Sequence, residues 1–414
     1  MATFAPDHRV TIRRAATQYQ LEDISGDVIT IDIDKGYGMS AGGFAISTTF
    51  KRSIEGQRYD QVLVPGDVVH IELDRGDGKG LRSRMVGQVV RCARKTIVNP
   101  DQSVSRRITI TGMDFGRLLD RHNCVADITP GPGQIGPEAI VRLAKGLIFS
   151  GTPHEICSSI FDKLMIGQVP WIKPYVAFIN PGIRAKAPLD EWETFDFTIL
   201  ESTGSVWAAM KRAANEPYNV LTTETINGVL HIILERYPFH PKNGKLTRET
   251  FHEIADEEIQ SEDLGVDDND RVNYVWLKAD MVTLYNQGQN FPLQFSSAMH
   301  FDQASISRFG FHPFYPQTNF VPPSYLPGDD APPNIQKLVS GRSEEFWNRN
   351  RWNHLHETGT LAVAGNPDIK AGDGIVVKGT GMEYFVEKYT EHYAWGETYT
   401  TTLQLTRGQE HGPT

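Results

Sequence analysis

The sequence predicts an α+β, mainly β chain: two small β-barrel or sandwich modules, a helical middle segment between them, and a proline-rich arm. Three observations carry this. Apolar residues alternate with polar ones in short runs near both ends, which is the period of half-buried strands. Between them the apolar spacing changes to i, i+3, i+4, the period of an amphipathic helix. A Gly-Asp turn opening a strand occurs twice, at Gly66-Asp67 and at Gly372-Asp373.

Along the chain, Ile29, Ile31 and Ile33 alternate with Thr30, Asp32 and Asp34, and Val69, Ile71 and Leu73 with His70, Glu72 and Asp74. The turn-rich Arg75–Gly80 precedes further strands at Met85–Val90 and Arg107–Thr111. Residues 1–115 thus form the first module. Helices are expected in 116–215. Ile140, Leu143, Ala144, Leu147 and Ile148 share one helix face, and Thr152-Pro153-His154-Glu155 is a capping box with proline at the first helical position. Ile156, Ile160 and Leu164 continue that second helix, and a third covers Val206–Ala213 before Glu216-Pro217.

Residues 216–414 form the second module. Its strand through Leu230, Ile232 and Leu234 also carries Val229 and Ile233, so both faces are expected to be covered. Two segments interrupt this module. One is acidic, about 252–270, and reads as a solvated loop around Asp263–Asp270. The other, 313–333, has seven prolines in 21 residues and reads as an extended arm, its Phe314, Tyr315, Phe320 and Tyr325 packed against a surface. The repeat extends past the Gly-Asp turns: each is followed by a second strand (Gly87–Arg94; Glu383–Thr390) and a threonine-rich closing strand (Arg107–Thr111; Thr398–Leu405).

Chemistry is sparse. Forty-one Lys and Arg against 51 Asp and Glu give a net charge of −10, which argues against a dedicated duplex-binding face. Cys92, Cys124 and Cys157 are too few and too far apart for a disulfide framework or a zinc site and read as inert thiols. No signal peptide and no apolar run of membrane-spanning length is evident, so no membrane insertion is expected. Gly131–Gly136 matches GxGxxG, but Pro132, Pro137 and a poor preceding strand fit a connecting loop. His154-Glu155 and His252-Glu253 lack the second His of HExxH, with Ser158 and Asp256 standing there instead. No cofactor, metal or catalytic set is predicted.

Several stretches resemble the baseplate hub proteins of contractile phage tails and related injection systems, whose relatives include the N-terminal half of the type VI secretion spike. They are Ile108–Asp114, Asn215–Asn219 with Leu230–Phe239, Thr358–Asp373, and Glu383–Glu387 running to Thr400–Gly408. The resemblance implies tail-tube-like modules, two per chain. Three chains then give six modules, a pseudo-sixfold ring that joins the tail tube or its initiator to a trimeric spike. It also implies baseplate wedge partners, a lumen that passes DNA or a tape-measure protein without gripping it, and a place in the virion tail after assembly in the host bacterial cytoplasm.

The subunit interface is expected on Arg107, Ile108, Thr109, Ile110 and Thr111, on Thr400, Thr401, Thr402, Leu403 and Leu405, and on the arm through Phe314, Tyr315, Phe320 and Tyr325. Charged replacements at Thr401 and Leu403 are expected to stop ring assembly while leaving a soluble monomer. Two other classes remain open. A peptidoglycan- or glycan-active tail hydrolase would use carboxylates such as Glu155 or Asp263. A carbohydrate-binding tail adhesin would use Trp347 and Trp352. Neither needs the duplicated Gly-Asp module.

Overall fold

The computed structural model describes residues 5–15, 20–51, 54, 56–98, 104–123, 148–179, 195–198, 204–248, 251–279, 282–286, 289–293, 297–318, 332–397 and 399–411. The N-terminal strands are β1 (Asp7–Arg14), β2 (Gln20–Asp23), β3 (Val28–Gly36), β4 (Gly43–Thr49), β5 (Val68–Asp74), β6 (Arg82–Val98) and β7 (Val104–Asp114). The middle layer holds α1 (Gly116–Arg121), α2 (Pro153–Ile160), β8 (Val176–Ile179), α3 (Val206–Ala213), β9 (Asn219–Ile226) and β10 (Val229–Arg236). Then come β11 (Phe251–Ile254), β12 (Ile259–Val266), α4 (Pro332–Asn350), β13 (Glu357–Ala364), β14 (Gly374–Val377), β15 (Met382–Ala394) and β16 (Thr400–Glu410).

Thirteen of these strands make one sheet, ordered β12-β13-β16-β15-β3-β4-β7-β6-β5-β1-β2, with β14 beside β15 and β11 beside β14. The sheet contains the same path twice: β3-β4-β7-β6-β5-β1 and β12-β13-β16-β15-β14-β11. The match extends to irregularities. The β3–β4 ladder slips between Val28 and Thr30, and the β12–β13 ladder slips between Ile259 and Ser261. The β6–β7 ladder slips between Val89 and Arg91, and the β15–β16 ladder between Val386 and Lys388. Each bulge adds one residue and bends its strand, so matching bulges give matching curvature. A short 3-10 turn precedes β3 and another precedes β12. One pairing differs: β1 runs antiparallel to β5, whereas β11 runs parallel to β14.

The Gly-Asp turns are equivalent bond for bond. Gly66 N–H donates to Val89 O (2.9 Å) and Val89 N–H to Asp67 O (2.8 Å); Gly372 N–H donates to Val386 O (2.7 Å) and Val386 N–H to Asp373 O (2.9 Å). Both glycines have positive φ, 103° and 92°, which explains why glycine stands at each turn. The carboxylates behave alike: Asp67 Oδ2 accepts from Val64 N–H (2.9 Å) and Asp373 Oδ2 from Lys370 N–H (2.7 Å).

The two halves share one apolar core. Ile31, Ile46, Val69, Ile71 and Ile110 from the first half and Leu361, Ile375, Val386, Leu403 and Leu405 from the second lie in a single buried cluster. The bulge at Val28–Thr30 leaves Ile29 half-exposed while Ile31 and Ile33 point inward. A second cluster joins Val68, Val86 and Phe115 to the middle layer, through Ile156, Ile160, Trp207, Met210, Leu221, Leu230 and Ile232.

Middle-layer helices form where their caps predict. Thr152 N–H donates to Glu155 Oε2 (2.9 Å) and Glu155 N–H to Thr152 Oγ1 (3.3 Å), the reciprocal capping box. Ser205 Oγ accepts from Ala208 N–H (3.2 Å) to open α3. The expected helix through Ile140 falls mostly beyond what the structure describes. Its residues lie outside the described ones except Ile148, which begins a short strand, Ile148–Gly151, paired with Phe195–Thr198.

The stretch read as an acidic loop also differs, because its first part is strand. Asp263 lies within β12, whose acidic side chains are tolerated because β12 is an edge strand facing solvent. The arm ends earlier than expected, since Pro332 and Pro333 open α4, and proline suits a first helical turn. Before it, Pro313–Phe314 runs parallel to Tyr274–Val275, and Gln317–Thr318 parallel to Lys278–Ala279.

Candidate functional site

The features with most to offer a partner are the places where the large sheet stops. The junction between the two halves shows what such an edge can do. Beyond the reach of β14, the distal part of β15 pairs with β3, from Lys388 opposite Gly36 to Ala394 opposite Thr30. His392 Nδ1 lies 2.6 Å from Asp32 Oδ1, its direct cross-strand neighbour, and Lys388 Nζ lies 3.5 Å from Asp34 Oδ2. Such pairs on an exposed face fix register more than they add stability.

Beneath this seam lies a buried ion pair. Arg84 on β6 donates to Glu391 Oε2 on β15 (2.9 Å), to Pro367 O (2.6 Å) and to Ile369 O (3.0 Å). Burial opposes the guanidinium charge, but the Glu391 carboxylate and neighbouring tyrosines hold it above its ordinary range. Tyr399 OH donates to the other Glu391 oxygen.

Several stretches are left with one paired side among the described residues, β2 and β11 included, and two of them are strongly charged. β6 outruns β5, whose partners on it are Arg82–Gln88, so from Arg91 onward β6 is paired with β7 alone. β12 ends the sheet, paired with β13 alone. Arg91, Arg94, Lys95 and Thr96 are exposed on the first stretch; Ser261, Glu262, Asp263 and Val266 are exposed on the second. One stretch is basic and the other acidic. Arg94 already has a partner, Asp60, at 3.2 Å.

The interface residues expected from sequence fall elsewhere. Arg107–Thr111 lie on β7, between β4 and β6, and Thr400–Leu405 lie on β16, between β13 and β15. Their backbone edges are therefore taken within the chain. Ile108, Ile110, Leu403 and Leu405 belong to the core cluster. Arg107, Thr109 and Thr111 are half-buried on the opposite face, as are Thr400 and Thr402. Thr401, fully buried, accepts at Oγ1 from Asn366 N–H (2.9 Å). Charges at Thr401 and Leu403 would therefore break the core rather than release a soluble monomer.

In the arm, Phe314 packs against a third apolar cluster, formed by Tyr218, Val275, Leu277, Val339 and Phe346, with its ring 5.7 Å from that of Phe346. Tyr315 is 52% exposed and its ring touches Tyr274 and Trp276. Phe320 and Tyr325 lie outside the described residues. Sequence reading missed Arg91–Thr96 and Ser261–Asp267. The available signal was a strand pattern running on through Arg91-Cys92-Ala93-Arg94-Lys95, past the length its partner could cover.

Other candidates are weaker. Glu155 is held in its own capping box and Asp263 lies on β12, so the two carboxylates belong to different layers. Among the described residues, no three His, Cys, Asp or Glu side chains gather as a metal site. No helix among them is long and apolar enough to cross a membrane. Burial, with Asp60 and Asp67 nearby, pushes the Cys92 thiol up to about 12, and burial also raises Cys157. Cys124 lies outside the described residues. A cleft of about 640 Å³ separates β1 and β5 from the Asn227–Val229 turn, with Arg9, Arg13, His70 and Glu72 beside Leu21, Val68 and Tyr175 on its wall.

His356, beside the exposed Trp352, makes stability depend on pH. Burial first, then Arg407 and His354, pull it from its ordinary 6.5 down to about 4. The unfolded chain therefore binds this proton more readily than the folded one. The contribution is fully present above about 6.5 and lost as pH falls towards 4. We expect Tm to fall between pH 7 and 4, and His356→Gln to flatten that slope by about 1–2 kcal/mol after discounting for partial exposure. An unchanged slope in the variant would remove His356 as its source.

No family's sequence model matches the chain, and no curated protein matches it. Solved structures do match. A tail protein from Neisseria meningitidis covers 97% of this chain and 96% of its own, with TM-score 0.55 at 13% identity. The 43 kDa tail protein of prophage MuSo2 from Shewanella oneidensis covers 97% and 98%, with TM-score 0.53 at 14% identity. The chain shares the fold of these tail proteins. At such low identity the likeness extends to the fold alone, and it spans both halves of the sheet and the middle layer. The open edges of β6 and β12 lie in different copies of the duplicated path, β12 opening one and β6 standing fourth in the other.

Proposed function

We propose that the chain is a structural hub at the base of a contractile tail, without catalysis of its own. Three copies present six similar modules, a pseudo-sixfold ring that meets the tail tube or its initiator on one side and a trimeric spike on the other. The observation that carries this reading is the duplicated strand path, with its matching bulges and turns, already joined edge to edge within one chain. One module-to-module step is thus made covalently contiguous, and a threefold assembly needs only one more kind of step.

On this reading residues 1–115 and 216–414 supply the two tube-like modules and 116–215 the middle domain, to which the second part also lends β9 and β10. Baseplate wedge proteins dock outside the ring, and DNA or a tape-measure protein passes through a lumen that the overall negative charge keeps from gripping nucleic acid. The site of action is the virion tail baseplate, after assembly in the bacterial cytoplasm. Likeness in fold to the Neisseria and Shewanella tail proteins supports a tail role. Native mass spectrometry of the purified chain across a concentration series tests it. A concentration-resistant species of three chains is expected, and a monomer at every concentration counts against the hub.

A further inference from the structure

We infer that the ring closes by strand pairing between copies: Arg91–Ile97 of β6 in one chain lies antiparallel to Ser261–Asp267 of a second copy. The inference rests on the hub reading for the number of chains, and on the chain's own seam for the geometry. The Val89–Arg91 bulge of β6 is the counterpart of the Val386–Lys388 bulge of β15, so Arg91–Ile97 corresponds to Lys388–Ala394. The Val28–Thr30 bulge is the counterpart of the Ile259–Ser261 bulge, so Thr30–Gly36 corresponds to Ser261–Asp267. Lys388–Ala394 and Thr30–Gly36 are the two stretches that pair at the seam. Their counterparts are each paired on one side only, apart from Asp267, which lies one residue past the end of β12.

Transferring the seam's register sets Arg91 opposite Asp267, Lys95 opposite Asp263 and Ile97 opposite Ser261. The charges fit. Lys95 and Asp263 stand where His392 and Asp32 make the exposed cross-strand contact within the chain. Arg91 faces Asp267, one residue past β12, whose oxygens accept from Asn269 N–H (2.9 Å) and Nδ2 (2.6 Å). Among the described residues no salt bridge within the chain engages Lys95, Arg91 or Asp263. The pairing is heterologous, using one edge from each copy of the duplicated path, and such contacts close into rings when the rotation permits. It also covers two strand edges that otherwise invite unspecific association.

The test uses the full chain with Cys92→Ser, to which Lys95→Cys and Asp263→Cys are added. Directly opposed positions lie within reach of a disulfide, whereas a pair displaced by two residues does not. Mild oxidation is expected to give a ladder on a non-reducing gel that ends at three chains. Lys95→Cys with Gly265→Cys, where an added Cβ meets nothing within 4 Å, is expected to give less than about a tenth of that product. Lys95→Glu is expected to raise the concentration for half-assembly about tenfold, and Lys95→Glu with Asp263→Lys to restore it. Both positions are exposed, so unchanged circular dichroism shows that the variants fold.

Wild-type trimers that persist in Lys95→Glu, with no cross-link, would overturn the edge pairing and leave the hub standing. Cross-links stronger in the displaced pair would overturn the register. A ladder running past three chains would support the edge pairing and overturn the three-chain closure on which the hub depends. Wild-type monomers without cross-links would overturn both.

Discussion

Arg84→Met is expected to destabilise the folded chain by about 3–5 kcal/mol, the cost of leaving a buried charge without its partner. Arg84 and Glu391 have side chains 1% and 0% exposed. The guanidinium satisfies Glu391 and two backbone carbonyls, Pro367 and Ile369, and lies over the Tyr389 ring at 4.5 Å. Methionine fills much of the same volume but supplies no donor, so one carboxylate oxygen and two carbonyls lose their partners together. Replacing both ends, Arg84→Met with Glu391→Leu, removes the orphaned charge and is expected to recover most of the loss. Urea midpoints at unchanged m would measure both effects. A single-variant loss below about 1 kcal/mol would mean that water reaches the seam and screens it.

Asp67→Ala is expected to cost about 3–5 kcal/mol, and the equivalent Asp373→Ala no more than about half of that. Asp67 is fully buried, and its two oxygens accept from two backbone donors, Ala15 N–H and Val64 N–H, each at 2.9 Å. Alanine removes the acceptor of both N–H groups and empties a fully buried position. Asp373 makes the matching turn bond to Lys370 N–H, but its side chain is 17% exposed and its second contact is His252 at 3.3 Å. Water can replace part of what Asp373 supplies. Chemical denaturation of the two variants side by side decides it. Equal losses would show that the turn geometry, rather than burial, sets the cost.

The duplication was legible in sequence because it rests on turn chemistry. Glycine at positive φ and an aspartate that caps its own turn are local requirements, and local requirements leave residues behind. Helices α2 and α3 were legible for the same reason, through Thr152 with Glu155 and through the apolar face ended by Glu216-Pro217. What was not legible was pairing. Nothing in Thr30–Gly36 names Lys388–Ala394 as its neighbour, because a strand's alternation shows which face is buried and not which edge is met. The closing strands at Thr109 and Thr402 therefore looked like natural interface edges, although both are interior. The acidic run near Asp263 looked like a loop because its partner on one side lies almost a hundred residues later, in β13.

The seam between β15 and β3 has a consequence for how the protein is made. At about 5–20 residues per second, some 350 residues of synthesis separate Gly36 from Lys388, roughly 20–70 seconds on the ribosome. For that interval one side of β3 is bare and the first half lacks the second half's share of the common core. Thr30, Asp32 and Asp34 make its outer face polar and charged, which discourages premature pairing with another nascent chain. The last strands of the polypeptide thus act as a timing device: the first module is finished only when the second one arrives.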